Sequence, residues 1–527
     1  MKTIFKNFFY VAISILLVFI GFLENNISKI FLLSNLILSL SLLLILGFIV
    51  YCIIDLIFRK SETFSAVFTS FAIILLFTYS YICDHHFYLI KSKMKDLSIP
   101  FSLMWVLWYT AALYVIFALS RNKNILNFFK IVIVFSCLSQ LGSYIYNYFN
   151  VHKLEKSNTL EIRSFGFFKK KPNVYFLLID GYPNNTVLKE QTNFVNPFGD
   201  NLREKGFFTV ENSFSNYHFT LASVSSQLMG NYHQNVFAQP KYLPKCFSKI
   251  IAGNNNVVRT FKDNGYKFIF APPGMYEELS AQGYENYSIV TNFSTFDILS
   301  SILSGTILRK YQHFFFVKKY LEPSDIMVFL KKYYHSRYKV PIFMYAHFMQ
   351  AHDLAVTKNG KAIFSLCDLI FSDLISDQKS KDYLTASIKD MNKKILTLID
   401  FILNIDPNAI IVINSDHGIG TVKYDLLLSE EDKKFLHPWE RDLSTEQLKN
   451  IFKNFIAVYL PKNEINEEHY MKEFKSEISN VNVFPKVFDY LGIKDIKELP
   501  NKAYLFDYNE KEQYFYLKKD VTETIIN

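Results

Sequence analysis

Five long apolar stretches near the start of the chain constrain its fold more than any other sequence feature. They occupy about residues 7–23, 30–58, 64–82, 101–120 and 125–147. A helix of about 20 apolar residues is long enough to cross the hydrocarbon core of a bilayer. The first stretch is followed too closely by the second to be a cleaved signal peptide. The sequence therefore predicts five transmembrane helices within residues 1–150, all retained in the mature protein.

Basic residues at the ends of these stretches predict the orientation of the chain. Lys2, Lys6, Arg59, Lys60 and Arg121 fall on one side when the stretches are threaded in order. Because cytoplasmic loops are enriched in Lys and Arg, we expect a cytoplasmic N-terminus and, after an odd number of spans, an extracytoplasmic C-terminal region. The richness in Lys, Asn, Ile and Phe is typical of a low-GC bacterium. We therefore predict a multi-pass protein of the bacterial inner (plasma) membrane with a periplasmic or extracytoplasmic C-terminal domain.

The rest of the chain alternates between strand-like and helix-like patterns. A charged linker is expected at 151–172, followed by a single domain at 173–527. Short β-branched runs alternate with amphipathic segments, the clearest of which lies at about 381–405 and has apolar residues at three- and four-residue spacing. This alternation predicts an α/β domain with a central, mostly parallel sheet. Two aromatic segments at the C-terminus are expected to form an edge hairpin.

Two of the predicted buried strands end in acidic residues. The run VYFLLI is followed by Asp180 and Gly181, and IIVINS is followed by Asp416 and His417. Because ligands bind outside the carboxyl ends of strands in open α/β sheets, these side chains are expected to converge. Carboxylate oxygens and an imidazole nitrogen together suit a divalent transition metal. The simpler alternatives are that Asp180 caps a helix and that Asp416 and His417 form an ordinary turn.

Thr220 is the candidate nucleophile. It follows the polar-aromatic segment SNYHF and opens a helix-like run, LASVSSQLMG. The unpaired N–H groups and the positive dipole end at a helix N-terminus favour both an ionised hydroxyl and a bound phosphate. The alternative is that Thr220 serves only as the N-cap residue of its helix.

Four segments, in their order and spacing, resemble the sulfatase-like branch of the alkaline phosphatase superfamily over residues 173–495: LLIDGY, SNYHFTLASVSSQL, YAHFMQAH and INSDHG. The apolar N-terminal region resembles that of membrane-anchored lipoteichoic acid synthases and lipid A phosphoethanolamine transferases. The resemblance implies a threonine nucleophile and one or two zinc or manganese ions, with Asp180, Thr220, Asp416 and His417 as ligands. It also implies a catalytic role for His352, in contact with the transferred group or a second metal.

Three further residues are weaker candidates for metal or substrate binding. His347 lies at the end of an apolar strand, five residues before His352, and His437 and Arg441 lie in the segment LHPWER. The guanidinium of Arg441 is suited to an anionic oxygen. All three residues are equally compatible with ordinary hydrogen-bonded positions at a strand end or in a loop.

Two departures from the family pattern bear on the activity. Those transferases usually have glutamate at the first acidic position, whereas Asp180 lies in a DGY context closer to phosphodiesterase-like members. Neither Cys246 nor Cys367 lies in the C/S-x-P-x-R motif from which sulfatases make formylglycine, so sulfate-ester hydrolysis is not expected. These two cysteines are compatible with a disulfide or with free thiols.

The predicted function is metal-dependent transfer of a phosphoethanolamine or phosphoglycerol group from a phospholipid to a cell-envelope glycan or lipid, through a phosphothreonine at Thr220. With water as the acceptor, the protein would instead be a membrane-bound phosphodiesterase or phosphatase. A non-catalytic envelope assembly protein is the third alternative. The net charge of +9 comes without an Arg cluster, so nucleic-acid binding is not expected. The sequence makes no prediction of oligomeric state.

Overall fold

The computed structural model describes most of the chain. The described residues are 2–26, 33–58, 62–77, 101–119, 122–157, 160–236, 241–273, 287–288, 295–303, 321–335, 340–349, 354–356, 362–365, 377–419, 443–461, 467–475, 477–494, 496–509 and 514–526. They form two compact units. One contains the described residues from 2 to 153 together with 295–303, and the other contains those from 154 to 288 and from 321 to 526.

The helices and strands are numbered in chain order. The helices are α1 (Lys2–Asn25), α2 (Leu33–Phe58), α3 (Glu62–Phe77), α4 (Phe101–Leu119), α5 (Lys123–Ser157), α6 (Asn185–Thr192), α7 (Phe198–Glu204), α8 (Thr220–Met229), α9 (His233–Val236), α10 (Pro244–Ile251), α11 (Asn256–Asp263), α12 (Thr295–Leu303), α13 (Pro323–Tyr334), α14 (Asp377–Ile405), α15 (Thr445–Phe452), α16 (Glu467–Lys475), α17 (Val483–Leu491) and α18 (Thr522–Ile526). The strands are β1 (Val174–Ile179), β2 (Phe208–Val210), β3 (Ser213–Phe214), β4 (Lys241–Tyr242), β5 (Lys267–Ala271), β6 (Tyr287–Ser288), β7 (Ile342–Phe348), β8 (Leu354–Val356), β9 (Ala362–Ser365), β10 (Ile410–Asn414), β11 (Ile456–Tyr459), β12 (Ile478–Ser479), β13 (Tyr504–Asn509) and β14 (Tyr514–Asp520).

The N-terminal unit consists of apolar helices. Within the described residues, three segments are long and apolar enough to cross a membrane: Asn7–Glu24, Leu33–Ile57 and Lys123–Lys153. Two shorter apolar helices lie at Phe64–Phe77 and Tyr109–Leu119. The apolar N-terminal region is therefore confirmed, but the predicted count of five spans is not. The predicted stretch 64–82 runs past residue 77, where the described part of α3 ends.

A polar cluster joins α1 to α5 within this unit. The Glu24 carboxylate accepts hydrogen bonds from Gln140, from the Ser143 hydroxyl at 2.5 Å and from the Asn147 amide at 2.7 Å. The three donors lie on one face of α5 at spacings of three and four residues. Glu24 is the second-last residue of α1 and is only partly buried. The cluster therefore ties the C-terminal end of α1 to α5, whereas the length of α1 packs mainly on α2 and α3.

A central sheet organises the second unit and is mostly parallel, as predicted. Among the described strands, its order is β2-β11-β10-β1-β7-β5-β6. Strands β10, β1, β7, β5 and β6 run parallel to one another, whereas β11 and β2 add antiparallel pairs at one edge. The three central strands, β10, β1 and β7, are buried along their whole length. Burial on both faces explains why these strands are continuous apolar runs in the sequence rather than alternating ones.

Helices cover both faces of this sheet. On one face, Tyr175, Leu177 and Ile179 of β1 belong to a core cluster with the apolar stripe of α14, which contains Leu384, Ile388, Met391, Ile395, Leu398 and Ile402. On the other face, the Phe176 ring contacts the Phe484 ring of α17 with centroids 5.2 Å apart. Because β1 is packed on both faces, the position of the turn that follows its carboxyl end is well defined.

The aromatic C-terminal hairpin forms from β13 and β14, but it does not lie at the edge of the central sheet. It pairs instead with β4 in a separate three-stranded sheet. Stacking explains this placement, because the Phe506 ring lies 5.3 Å from Tyr242 and the Phe515 ring lies 4.4 Å from Phe219. Phe219 immediately precedes α8, so the hairpin packs behind the start of that helix.

Candidate active site

Asp180 lies directly after β1, where the chain turns out of the central sheet. Its backbone N–H donates to the Phe348 carbonyl at 2.9 Å, which ties the turn to the end of β7. Gly181 follows with φ of 62°, a left-handed conformation that costs glycine little. The Asp180 side chain is only 1% exposed. A carboxylate is therefore held in the interior at the carboxyl end of the sheet.

Asp416 and His417 lie on the neighbouring turn after β10. Asp416 Oδ1 accepts a hydrogen bond from the Gly181 N–H at 3.0 Å, so the two turns are directly joined. Asp416 Oδ2 is buried and receives no hydrogen bond from any residue in the described ranges. At Gly418, an added Cβ would lie 2.2 Å from the Asn450 carbonyl oxygen, so only glycine fits this close approach.

Asp180, Asp416 and His417 together form a cluster that fits a divalent metal. One ligand atom from each lies within 4.8 Å of the others, and all three residues are buried. The His417 Nε2 is 3.5 Å from Asp180 Oδ1 and 3.4 Å from Asp416 Oδ2. Its Nδ1 is 2.8 Å from the Gly418 carbonyl, which accepts the Nδ1 proton and leaves the Nε2 lone pair for a ligand. Two carboxylates and one imidazole suit zinc or manganese.

Thr220 is the first residue of α8, and its hydroxyl points into this cluster. Its Oγ1 donates to Asp180 Oδ2 at 3.3 Å, and the residue is 8% exposed. Phe219, not Thr220, occupies the N-cap position, with extended backbone angles and no side-chain cap bond. The alternative in which Thr220 serves only as an N-cap therefore does not describe this helix.

His347 contacts the same carboxylate from β7. Its Nε2 is 3.2 Å from Asp180 Oδ2, and its Nδ1 is 3.2 Å from the Tyr345 hydroxyl. Because a carboxylate accepts hydrogen bonds, this network gives His347 a proton on Nε2 and an acceptor at Nδ1. His347 is thus arranged to orient Asp180. His352, His437 and Arg441 lie outside the described residues, as does Cys367.

Sequence reasoning missed His218, which lies two residues before Thr220. It is 4% exposed, and its Nδ1 accepts a hydrogen bond from the Phe506 N–H of β13 at 3.4 Å. Burial is the largest cause that lowers the pKa of His218, to about 3. At ordinary pH, the buried His218 imidazole next to the start of α8 is therefore neutral. A lone histidine carries no periodic signal, so only the fold shows its position.

Acid is expected to destabilise this domain through its buried histidines. Burial lowers the pKa of His233 to about 3, as it does for His218. Below pH 6.5 these histidines bind protons in the unfolded chain but stay neutral in the folded chain. The free energy of unfolding is therefore unaffected by them above pH 6.5 and decreases as the pH drops toward 3. Each histidine is expected to add about 1.4 kcal/mol per pH unit to this slope. Unfolding of the detergent-solubilised protein as a function of pH measures it.

His233→Asn is the variant that isolates one histidine, and His335→Asn at an exposed position is its control. The His233 variant should flatten the acid slope, even if it is less stable at every pH. The His335 variant should follow the wild type. Equal slopes in all three proteins would contradict the assignment of a buried neutral imidazole at His233.

Comparison with known families gives this site a context. Residues 172–493 match the family model described as Sulfatase, a segment that covers more than half of the 527 residues. The chain belongs to the sulfatase family. The family predicted from the sequence motifs is therefore confirmed, and the matched segment contains Asp180, Thr220, Asp416 and His417. A comparison with curated protein sequences found no match.

Several solved structures are similar to this sulfatase-family chain at low identity. The integral membrane lipooligosaccharide phosphoethanolamine transferase A (EptA) of Neisseria meningitidis is 12% identical, with a TM-score of 0.44, over 92% of this chain and 94% of that one. The C-terminal periplasmic domain of EcEptC from Escherichia coli is 10% identical, with a TM-score of 0.41, over 66% of this chain and 93% of that one. A complex of that domain with Zn has the same values.

Proposed function

We propose that this sulfatase-family protein is a membrane-anchored, metal-dependent transferase that moves a phosphoethanolamine or phosphoglycerol group from a phospholipid to an envelope glycan or lipid. One observation carries the proposal: the buried Thr220 hydroxyl lies 3.3 Å from Asp180 Oδ2, beside the cluster of Asp180, Asp416 and His417. The apolar helices of the N-terminal unit support a donor that is itself part of the membrane. The catalytic domain would then work on the extracytoplasmic side.

The residues of the chain have distinct roles in this proposal. Asp180, Asp416, His417 and Thr220 would hold the ion, which when bound lowers the pKa of the Thr220 hydroxyl and offsets negative charge on phosphoryl oxygens. The Thr220 hydroxyl proton faces Asp180 Oδ2, so that carboxylate is the acceptor nearest to it. His347 Nε2 contacts the same Asp180 oxygen at 3.2 Å and orients that carboxylate. The backbone N–H groups in the first turn of α8 provide donors for a bound phosphate group.

The reaction proceeds in two displacements. Thr220 Oγ1 forms a bond to phosphorus, the bond between phosphorus and the diacylglycerol oxygen breaks, and diacylglycerol leaves with a proton. The headgroup phosphate then remains on Thr220 as a substituted phosphothreonine. An acceptor hydroxyl displaces the threonine and restores its proton. Positioning and charge stabilisation dominate such a transfer, and a buried cluster at a helix N-terminus supplies both.

Hydrolysis is the second candidate, and Asp180 is the residue that favours it. Aspartate rather than glutamate at this position resembles the phosphodiesterase-like members of the group. The extent of the apolar region favours transfer, because three candidate spans exceed the single helix that a tether requires. The acceptor, water or hydroxyl, is the only difference between the two reactions.

The proposal is tested by the mass of the Thr220 peptide. Full-length protein is incubated with vesicles that contain phosphatidylethanolamine or phosphatidylglycerol with isotopically labelled headgroups, quenched in acid and digested. A labelled phosphoethanolamine or phosphoglycerol adduct on Thr220, which disappears when an acceptor glycolipid is added and reappears on that glycolipid, is expected. Release of the labelled headgroup phosphate into water instead would establish the hydrolase. Absence of adduct, turnover and bound metal would favour the non-catalytic assembly role.

A further inference from the structure

A buried asparagine on a distant segment contacts the metal-ligand turn. Asn480 begins the short 3-10 helix Asn480–Asn482, which follows β12, and none of its surface is exposed. Its side-chain amide nitrogen lies 3.0 Å from the Ser415 carbonyl oxygen and 3.3 Å from the Asp416 carbonyl oxygen, to which it donates. Its Oδ1 accepts from the Asn454 amide at 2.8 Å. The side chain is therefore fully engaged and has one fixed orientation.

The same asparagine is connected to the helix of the proposed nucleophile. Its amide nitrogen is 3.2 Å from the hydroxyl oxygen of Ser223, which lies one turn after Thr220 on α8. The Ser223 hydroxyl donates in turn to the Asp416 carbonyl at 2.6 Å. Asn480 and Ser223 thus link the helix that carries Thr220 to the backbone of the turn that carries Asp416.

Other contacts hold the turn but do not make this link. Asn454 donates to the Ser415 carbonyl at 2.6 Å, and the Ser415 hydroxyl bonds the His417 carbonyl at 2.6 Å. Both contacts stay within β10, the turn and the adjoining segment at 454. Asn480 and Ser223 contact the Asp416 carbonyl itself, whereas the Asn414 amide at the end of β10 donates to Gln227 Oε1, two turns after Thr220 on α8, at 3.2 Å. A misplacement of about 1 Å in such a geometry costs about 100-fold in rate.

We propose that Asn480 is a positioning residue which, through Ser223, sets the distance between the Thr220 hydroxyl and the Asp416–His417 ligand pair. The inference rests on the proposed function for its effect on turnover. Its effect on metal binding does not, because the same turn carries two of the expected metal ligands. Residues that orient ligands from behind typically contribute 10–100-fold to metal affinity or activity.

The test compares two asparagines of one 3-10 helix in the full-length protein. Asn480→Asp keeps the size of the side chain but replaces its donors with an acceptor that repels the three oxygens. Asn482→Asp is the matched control, since Asn482 is also buried but donates to the Leu499 carbonyl and to Asn501 rather than to the site. Zinc and manganese titration, kcat with KM, and thermal unfolding are measured for both.

Asn480→Asp is expected to weaken metal binding by about 10-fold or more and to lower kcat by about 100-fold with little change in KM. Asn482→Asp should lose comparable thermal stability but keep the metal affinity and kcat of the wild type. Equal losses in both variants, or wild-type metal affinity in folded Asn480→Asp, would overturn the proposal. If the wild type transfers no headgroup, the proposed function fails, but the metal titrations still decide the role of Asn480.

A second pair of variants, Ser223→Ala and Ser226→Ala, tests the same link if Asn480→Asp does not fold. Ser223→Ala removes the hydroxyl that donates to the Asp416 carbonyl, whereas Ser226→Ala removes a buried hydroxyl on the same helix that donates to the Ser223 carbonyl at 2.9 Å. The first substitution should reduce metal affinity and kcat, and the second should reduce neither. Indistinguishable metal affinities in these two variants would count against the link between α8 and the turn.

Discussion

Thr220→Val is expected to abolish turnover while leaving the domain folded. Valine keeps the branched shape of threonine but puts a methyl group in place of the Oγ1 that lies 3.3 Å from Asp180 Oδ2. Loss of a covalent nucleophile costs about 10⁴- to 10⁶-fold in kcat, because the remaining groups bind substrate without offering a bond-forming atom. The rate of diacylglycerol release from phospholipid vesicles measures the effect.

Two control variants separate the hydroxyl from the packing at this position. Thr220→Ser restores a hydroxyl and should recover part of the activity. Thr260→Val changes another buried threonine, whose Oγ1 donates to the Asn256 carbonyl at 2.7 Å and accepts from the Phe165 N–H at 2.9 Å. This variant should lose stability but not turnover. A folded Thr220→Val protein that releases diacylglycerol at a rate close to wild type would show that Thr220 is not the nucleophile.

Asp416→Asn is expected to remove both metal binding and activity. The substituted amide retains an oxygen for the Gly181 N–H at 3.0 Å, but it places an NH₂ group where Oδ2 now lies without a hydrogen bond among the described residues. An NH₂ group cannot ligate a cation. Removing a group that only supports a ligand lowers metal affinity or activity by about 10–100-fold. Removing the ligand atom itself should lower both by more than that. Metal content of the purified protein and turnover are the measurements.

The effect of Asp416→Asn on stability should change sign with metal. Without metal, Asp180 and Asp416 are two buried carboxylates in one small cluster, and their mutual repulsion disfavours the folded state. The metal-free variant should therefore unfold at a higher temperature than the metal-free wild type. With metal at about 100 times its Kd, the wild type gains about 2.7 kcal/mol and the order reverses. Thermal unfolding with and without a chelator measures both states.

Asp406→Asn provides the comparison for this reversal. Asp406 Oδ2 accepts hydrogen bonds from the Tyr334 hydroxyl and the Asn173 amide, each at 2.7 Å, and none from the metal cluster. This variant should be destabilised equally with and without metal. A parallel response of the two variants would mean that the cluster at Asp416 does not bind the ion.

The positions of Asp180 and Asp416 in the fold could be predicted because both residues follow strongly patterned strands. Asp180 comes directly after β1, and Asp416 comes two residues after the end of β10. Both strands are continuous apolar runs, which are typical of parallel strands covered on both faces. Helix α14 was predicted at 381–405 and extends from Asp377 to Ile405, because its apolar stripe has helical spacing along most of its length. Because β1 and β10 are adjacent parallel strands, the acidic residues after their carboxyl ends lie close together.

The supporting residues could not be predicted in the same way. Asn480 and Ser223 act through contacts between residues 257 positions apart, and no periodic pattern in the sequence records such a pairing. The placement of the C-terminal hairpin on β4 likewise depends on aromatic stacking between distant segments. The N-cap position of Phe219 follows from the way its ring packs on Phe515 rather than from any preference of phenylalanine for caps.

The strand order also has a consequence for biosynthesis. Asp180 and Thr220 leave the ribosome long before Asp416 and His417, and the two halves of the cluster join only when β10 inserts beside β1. Until about four-fifths of the chain has been made, the nascent protein holds a threonine without its full set of partners. The ligand cluster is therefore completed only after the apolar N-terminal helices and most of the sulfatase-family domain have been synthesised.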